Sequence, residues 1–207
     1  MLRHRYDLRR DKVIDMKISL PTENGFLPDK YGKYAPAADR KYDHAVCSFP
    51  ITIEEVPEGT QTLALTFIDY DSTPVCGFTW IHWLMCEIDP NIGVIPEDAS
   101  QNPQPEWRQG FNSCFSNMEE IDNDLTVAQA YIGPRPPDAD HTYTLRVYAL
   151  DNHLDLAEGY FYNQLHFRQR VFRENFRNRQ IAVRRDKCQS RENHGEQNER
   201  DNRFRAH

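Results

Sequence analysis

Alternating apolar and polar positions dominate the middle of the chain and predict strands. Over residues 61–70, Leu63, Leu65, Phe67 and Asp69 fall on one side and Thr62, Ala64, Thr66 and Ile68 on the other. With both sides largely apolar, this is the pattern of an inner strand. Residues 80–88 repeat it, setting Trp80, His82, Leu84, Cys86 and Ile88 against Ile81, Trp83 and Met85, and form the best central strand. Residues 142–150 are rich in β-branched and aromatic side chains, with His141, Tyr143, Leu145, Val147 and Ala149 on the more buried side. Shorter β-compatible stretches are predicted at 16–20, at 44–50, where Pro50 ends the run, and at 125–132. Residues 25–43 and 89–124, rich in turn-forming residues, predict long loops, the second with one short strand. After Asp151 the period changes, and Leu156, Phe161, Leu165, Phe172 and Phe176 can line one helical face. A helix is expected to about residue 167, and beyond 184 there is no period to read. The local pattern therefore gives a mostly β chain, with no repeat of solenoid or propeller length.

Composition divides the chain more sharply than hydropathy does. Its 207 residues suit one domain with added segments. Residues 1–15 read as a charged N-terminal extension, 16–167 as the folded domain and 168–207 as a basic, partly disordered tail. The formal net charge is −7, yet residues 164–207 carry eleven Arg and one Lys against six acids, so this end is +6 and the remainder −13. An acidic body argues against nucleic acid as the ligand of the folded part, because phosphate-backbone affinity needs clustered Lys and Arg. Five cysteines, odd in number and without a C-x-x-C pair, signal neither a disulfide framework nor a zinc site, and favour a reducing cytoplasm. No window is long and apolar enough to predict a transmembrane segment, and no export signal is read at the start.

Two segments gather the candidate chemistry. Asp69-Tyr70-Asp71-Ser72-Thr73-Pro74 leads to Trp80-Ile81-His82-Trp83, and Gly133-Pro134-Arg135-Pro136-Pro137 leads to Asp140-His141-Thr142-Tyr143. Each sets a turn at the mouth of a histidine-bearing strand, where a rigid scaffold can aim carboxylates, imidazoles and backbone N–H groups at one small ligand. His82, inside an aromatic strand, needs a partner to be buried, and a backbone carbonyl serves as well as a ligand. His141 and Tyr143 share a face about 7 Å apart, given the rise of a strand. A carboxylate beside an imidazole favours the protonated ring and fixes which nitrogen faces outward. Asp69 is thus expected to orient His82 or His141, and Asp71 to shape the turn, since Asp at strand ends accepts turn N–H groups.

In order along the chain, these segments resemble the signatures of the phosphatidylethanolamine-binding protein family, and the bacterial Raf-kinase-inhibitor-like members most. The matching residues are Asp69-Tyr70-Asp71, Gly77 to Trp83, Gly133 to Pro137 and His141-Thr142-Tyr143, with weaker matches at Ser48-Phe49-Pro50, Gln109 to Ser113 and Tyr148 to Asp151. The resemblance covers residues 16–165. It implies an antiparallel Greek-key β-sandwich with a peripheral C-terminal helix, and a ligand pocket formed by Asp69, Asp71, His82, His141 and Tyr143, with backbone N–H groups at the Gly133-Pro134 turn. The implied function is binding of a small anion or phosphate-ester headgroup, regulation of a protein partner such as a kinase, and no turnover, cofactor or metal. The alternative is a hydrolase using the Asp and His groups as an acid–base pair. Against it, no G-x-S-x-G, phosphate-loop or H-E-x-x-H motif is present, and Ser72, Ser113 and Cys76 lack a context that marks a nucleophile. Tyr70 stands where the family has proline, and the turn before His82 is longer; both are expected to reshape the pocket rim. The Arg-rich end departs from the usual closing segment.

Overall fold

The computed structural model describes residues 16–116, 119–121, 123–168 and 171–183. The extension expected at 1–15 lies outside the described residues, as does the tail expected at 168–207 from 184 onward; its residues 171–183 form a strand. Strands β1 (Lys17–Ser19), β2 (Arg40–Lys41), β3 (His44–Ala45) and β4 (Ile51–Glu54) precede the long strand β5 (Thr62–Asp69). A single helical turn, α1 (Thr73–Cys76), links it to β6 (Trp80–Ile88). Then come β7 (Val94–Ile95), β8 (Arg108–Gln109), the helical turn α2 (Leu125–Ala128), β9 (His141–Leu150), helix α3 (Tyr162–Arg168) and β10 (Val171–Val183).

Pairing is antiparallel within both main sheets. One has the order β10-β9-β5-β6-β8, the other β1-β4-β7. Four successive members of the larger sheet, β5, β6, β8 and β9, lie in the order β9-β5-β6-β8. The fourth returns by a long connection beside the first, which is the Greek-key arrangement. The sheets face each other across one apolar layer. Ile51, Ile53 and Ile95 of the smaller sheet meet Leu63, Leu65, Phe67, Trp83, Met85, Leu145 and Val147 of the larger. Burial of side chains this size contributes about 1.5–3 kcal/mol each. The other face of the large sheet, through Ala64, Leu84, Cys86 and Leu150, is covered by Leu154, Leu156, Tyr160 and Leu165 of the segment that ends in α3. Every residue of β5 is buried because both its faces are covered, as its two apolar sides require. The expected antiparallel β-sandwich with few helices is what the chain forms.

The two long predicted strands β5 and β6 run where expected, but strict alternation fails along β6. Phe67 pairs with Trp83 and Ile68 with Ile81, so His82 is the extra residue of a bulge. A second irregularity lies between the pairs Leu63–Ile88 and Leu65–Met85, where Glu87 has a φ of 59°. A bulge returns two successive side chains to one face. His82 therefore joins Trp83 on the inner side and leaves Leu84 and Cys86 on the outer.

Three local readings are corrected. Residues 125–132 form no strand: Asp124 caps α2 by accepting the Thr126 N–H at 2.9 Å, and Asn112 Nδ2 donates to the carbonyls of Val127 and Ala130. Those carbonyls are thus held by a side chain instead of a strand neighbour. Only His44–Ala45 of the 44–50 run is a strand, and the longer β4 begins just after Pro50, where Ile51 and Ile53 are buried on alternate positions. Finally, the helical face drawn through Phe172 and Phe176 does not continue. The backbone of β10 pairs instead along β9, from Val183 opposite His141 to Val171 opposite Leu150, and so takes up the hydrogen-bonding edge that β9 would otherwise leave open.

Candidate functional site

The inner face of the large sheet ends in polar groups because β5 and β9 run in uninterrupted register, with Asp69 directly opposite Tyr143. Asp69 continues the inward series Leu63, Leu65, Phe67, and Tyr143 the series Val147, Leu145. The inward series of both strands thus turn polar at the same level of the register. His141 lies two residues further, and its Nδ1 is 2.8 Å from Asp69 Oδ2, with both side chains buried. The second Asp69 oxygen accepts the Ser72 N–H at 3.1 Å. Of the two orientations open to it from sequence, Asp69 takes the one toward His141.

The His141 ring is doubly engaged: Nε2 lies 2.9 Å from Asp138 Oδ1, on the loop just before the strand. Burial alone would lower the basicity of this imidazole, but Asp69 and Asp138 outweigh it and hold its pKa above the ordinary histidine value. Tyr143 is pushed the other way from reactivity: burial first, then the charge of Asp69, raise its phenol and keep it protonated.

His82 is reached through the β6 bulge and is fixed by one residue twice. Its carbonyl accepts the Ile132 N–H at 3.0 Å, and its ring Nδ1–H donates to the Ile132 carbonyl at 2.9 Å. A carbonyl can only accept, so this bond sets the tautomer and leaves Nε2 as the ring nitrogen that can address the cavity. Burial pushes the pKa of His82 down to about 4, against smaller opposing effects of Ile132 and Asp69. The two histidines are therefore biased in opposite directions: Asp69 and Asp138 favour the charged form of His141, whereas His82 is neutral at pH 7. The floor beneath them is aromatic, with Phe67 5.7 Å from both the His82 and Tyr143 rings and Phe49 packed edge-on against Phe67.

Between the two segments opens a cavity of about 400 Å³. Asp69, His82, His141, Tyr143 and Gly133 line it, whereas Asp71 and Pro134 do not. Asp71 spends a carboxylate oxygen on the Thr142 N–H at 2.8 Å, tying the turn after β5 to the start of β9. The Gly133 N–H, expected to face a ligand, donates instead to the Ala45 carbonyl at 2.8 Å. The Gly-Pro wall thereby docks on the entry segment, helped by Tyr131 O–H donating to the Tyr31 carbonyl. Gly133 is needed for that closeness, because a Cβ here would lie 2.5 Å from the Tyr31 oxygen and 2.7 Å from Ala45 Cβ. Gly133→Ala is expected to cost about 2 kcal/mol of stability through overpacking, read as a lowered melting temperature. An unchanged melt would show that the wall yields freely.

Several lining residues carry no sequence signal of their own. Arg135 brings a guanidinium, paired at 3.0 Å with Asp43. Glu119 and His44 form a second imidazole–carboxylate pair at 3.4 Å, and burial lowers the His44 pKa. Val75 and Cys76 come from the longer turn, which does shape the cavity. Tyr70 does not; it points away, and its hydroxyl accepts from Arg146 at 2.6 Å.

The three sequence-level nucleophile candidates are occupied structurally. Ser72 Oγ lies within bonding distance of the Asp69 and Phe78 carbonyls and accepts the Trp80 N–H. Ser113 Oγ accepts the Ile81 N–H, and the Cys76 thiol lies against the Ser72 and Phe78 carbonyls. Cys114, 3.8 Å from His44 Nε2, has its thiol pushed up to about 12 by burial, so it is no thiolate at neutral pH. Among the described residues, no three His, Cys, Asp or Glu side chains are arranged to hold a metal ion, and no helix is long and apolar enough to cross a membrane.

Comparison with known proteins agrees with this architecture. The family model described as phosphatidylethanolamine-binding protein matches residues 17–176. The uncharacterized protein YxkA of Bacillus subtilis is 48% identical over 143 residues, covering 69% of this chain and 84% of that one. A UPF0098 protein of Methanothermobacter thermautotrophicus is 28% identical over 149 residues, 70% of this chain and 82% of that one. Among solved structures, a putative phosphatidylethanolamine-binding protein homolog of Chlamydia trachomatis superposes with a TM-score of 0.63 at 24% identity, covering 84% of this chain and 99% of that one. YbcL of E. coli gives 0.61 at 17% identity, over 83% and 99%. At these identities the structures speak for the fold.

Proposed function

Because this chain belongs to the phosphatidylethanolamine-binding protein family, we propose that its cavity binds a phosphate ester of headgroup size and releases it unchanged. The observation that carries this reading is the unequal pair of histidines at one cavity wall. Buried Asp69 favours the cationic form of His141, and His82 is held neutral with Nε2 as its acceptor. A phosphate oxygen is attracted to His141 and to the guanidinium of Arg135, while a protonated phosphate oxygen can donate to His82. Glu119, on the same cavity, suits an ammonium group at the far end of the ligand, as in phosphoethanolamine. Charge-assisted bonds of this type contribute about 1.5–3 kcal/mol each before desolvation is subtracted. The engaged serine and thiol side chains favour binding over hydrolysis. Control of a protein partner, a kinase being the class that the resemblance implies, would then follow occupancy of the cavity.

Phosphoethanolamine and inorganic phosphate at millimolar concentration should raise the melting temperature, since a ligand that binds only the folded state stabilises it. Arg135→Gln should weaken that shift without unfolding the protein. Binding should persist through the ordinary imidazole range and fade only at higher pH, because the His141 pKa lies above its usual value. The reading fails if neither compound shifts the melt or titrates calorimetrically. Turnover of a phosphate ester that is lost in His141→Gln would establish the hydrolase instead.

A further inference from the structure

We propose that Asp138 is a built-in competitor for the anion site, its carboxylate holding the His141 Nε2–H that an incoming oxyanion must take. The inference rests on the anion-binding reading above and adds what sets its threshold.

The two carboxylates on His141 are not equivalent. Asp69 is buried, opposite Tyr143 in the strand register and fixed by the Ser72 N–H. Asp138 has a side chain that is 56% exposed, against 4% for His141, and sits on the loop three residues ahead of it. One bond is architectural and the other is exchangeable. In chemistry and distance, the exchangeable bond is what a phosphate oxygen would make: an anionic oxygen 2.9 Å from a ring N–H. Asp138 is also preferred as an anion at this place. Burial opposes its ionisation, but His141 and the backbone N–H groups of Asp138 and Ala139 outweigh that and hold its carboxyl below the usual range. The titratable groups facing the ring are Asp69 from β5, His82 from β6, Tyr143 from β9 and Asp138 from the loop. Of these, only Asp138 is mostly exposed, so only it can leave without opening the core.

Two consequences oppose each other. Asp138 blocks the ring N–H, which weakens ligand binding; it also helps to keep the ring protonated, which extends binding to higher pH. Removing it should therefore strengthen binding at mildly acidic pH and bring the upper limit of binding down in pH. A merely structural loop contact would give neither.

The test compares wild-type protein with Asp138→Asn and Asp138→Glu. Inorganic phosphate binding is measured by calorimetry across pH, and the His141 ring is titrated by NMR. Asp138→Asn is expected to bind phosphate roughly two- to fivefold more tightly near pH 6, the range for an ion pair with one exposed partner, and to titrate His141 at lower pH. Asp138→Glu should restore wild-type behaviour. Equal or weaker phosphate binding by Asp138→Asn, with an unchanged His141 titration, would overturn the competitor role while leaving the anion site standing. If phosphate binds none of the three proteins, the anion reading falls and the competitor role falls with it.

Discussion

Replacing Asp69 by asparagine should lower the unfolding free energy by about 3 kcal/mol at neutral pH, the scale for removing one member of a buried ion pair. The carboxylate receives His141 Nδ1–H and the Ser72 N–H, faces Tyr143 across the register and is itself buried. An amide can still accept from Ser72, but it offers no charge to an imidazolium buried beside it. Part of the loss is escaped when His141 gives up its proton, and this fixes the pH dependence. The folded-state pKa of His141 is raised, so its contribution is fully present below the unfolded value near 6.5 and is lost as pH rises through the folded one. The gap between wild type and Asp69→Asn should therefore be widest in mild acid and narrow on the alkaline side. Denaturant melts across pH would measure it; a gap below about 1 kcal/mol at pH 6, where the loss should be near its greatest, would mean that the pair does not bear on stability.

The second large effect has the opposite sign in pH and belongs to His82. Its folded-state pKa is depressed to about 4, so the unfolded chain binds a proton more readily between that value and about 6.5. Stability from the neutral, carbonyl-bonded ring is complete above this window and drains away as pH falls through it. The full loss is about 3 kcal/mol, on the scale of about 1.4 kcal/mol per pKa unit. His82→Gln retains an N–H group for the Ile132 carbonyl and has nothing to titrate. Between pH 7 and 4 its stability should fall less steeply than that of the wild type, and parallel slopes would falsify the buried neutral state.

Much of this architecture was legible because burial on two sides leaves a strong mark on sequence. The apolar faces of β5 and β9 predicted both strands, set Asp69 on the side of Leu63, Leu65 and Phe67, and put Tyr143 on the more buried side of β9. The bulge at His82 was not legible: alternation alone sends that ring to the side of Leu84, and only the pairing of Phe67 with Trp83 and Ile68 with Ile81 reverses it. The stretch 125–132 misled for a different reason, since its apolar residues serve a capped helical turn held by the Asn112 amide, a contact between residues 15 and 18 apart. Arg135 and Glu119 enter the cavity from loops and His44 from the short strand β3, all through tertiary placement, and isolated residues of these types leave no periodic trace. Asp138 was in plain view three residues before His141, yet only geometry reveals that it occupies the second ring nitrogen. Asp71, which the resemblance put in the pocket and the turn chemistry put in the turn, spends its carboxylate on the Thr142 N–H and does not line the cavity.

The docking of the Gly133 wall onto the entry segment has a kinetic side. Tyr131 reaches the Tyr31 carbonyl across 100 residues, and Gly133 reaches Ala45. Such distant closures are entropically costly and tend to form late, after the more local pairing of β5 with β6. If the wall docks after those strands have paired, a ligand in the cavity would slow unfolding more than it speeds folding, a split to be read from unfolding and refolding rates with and without phosphate.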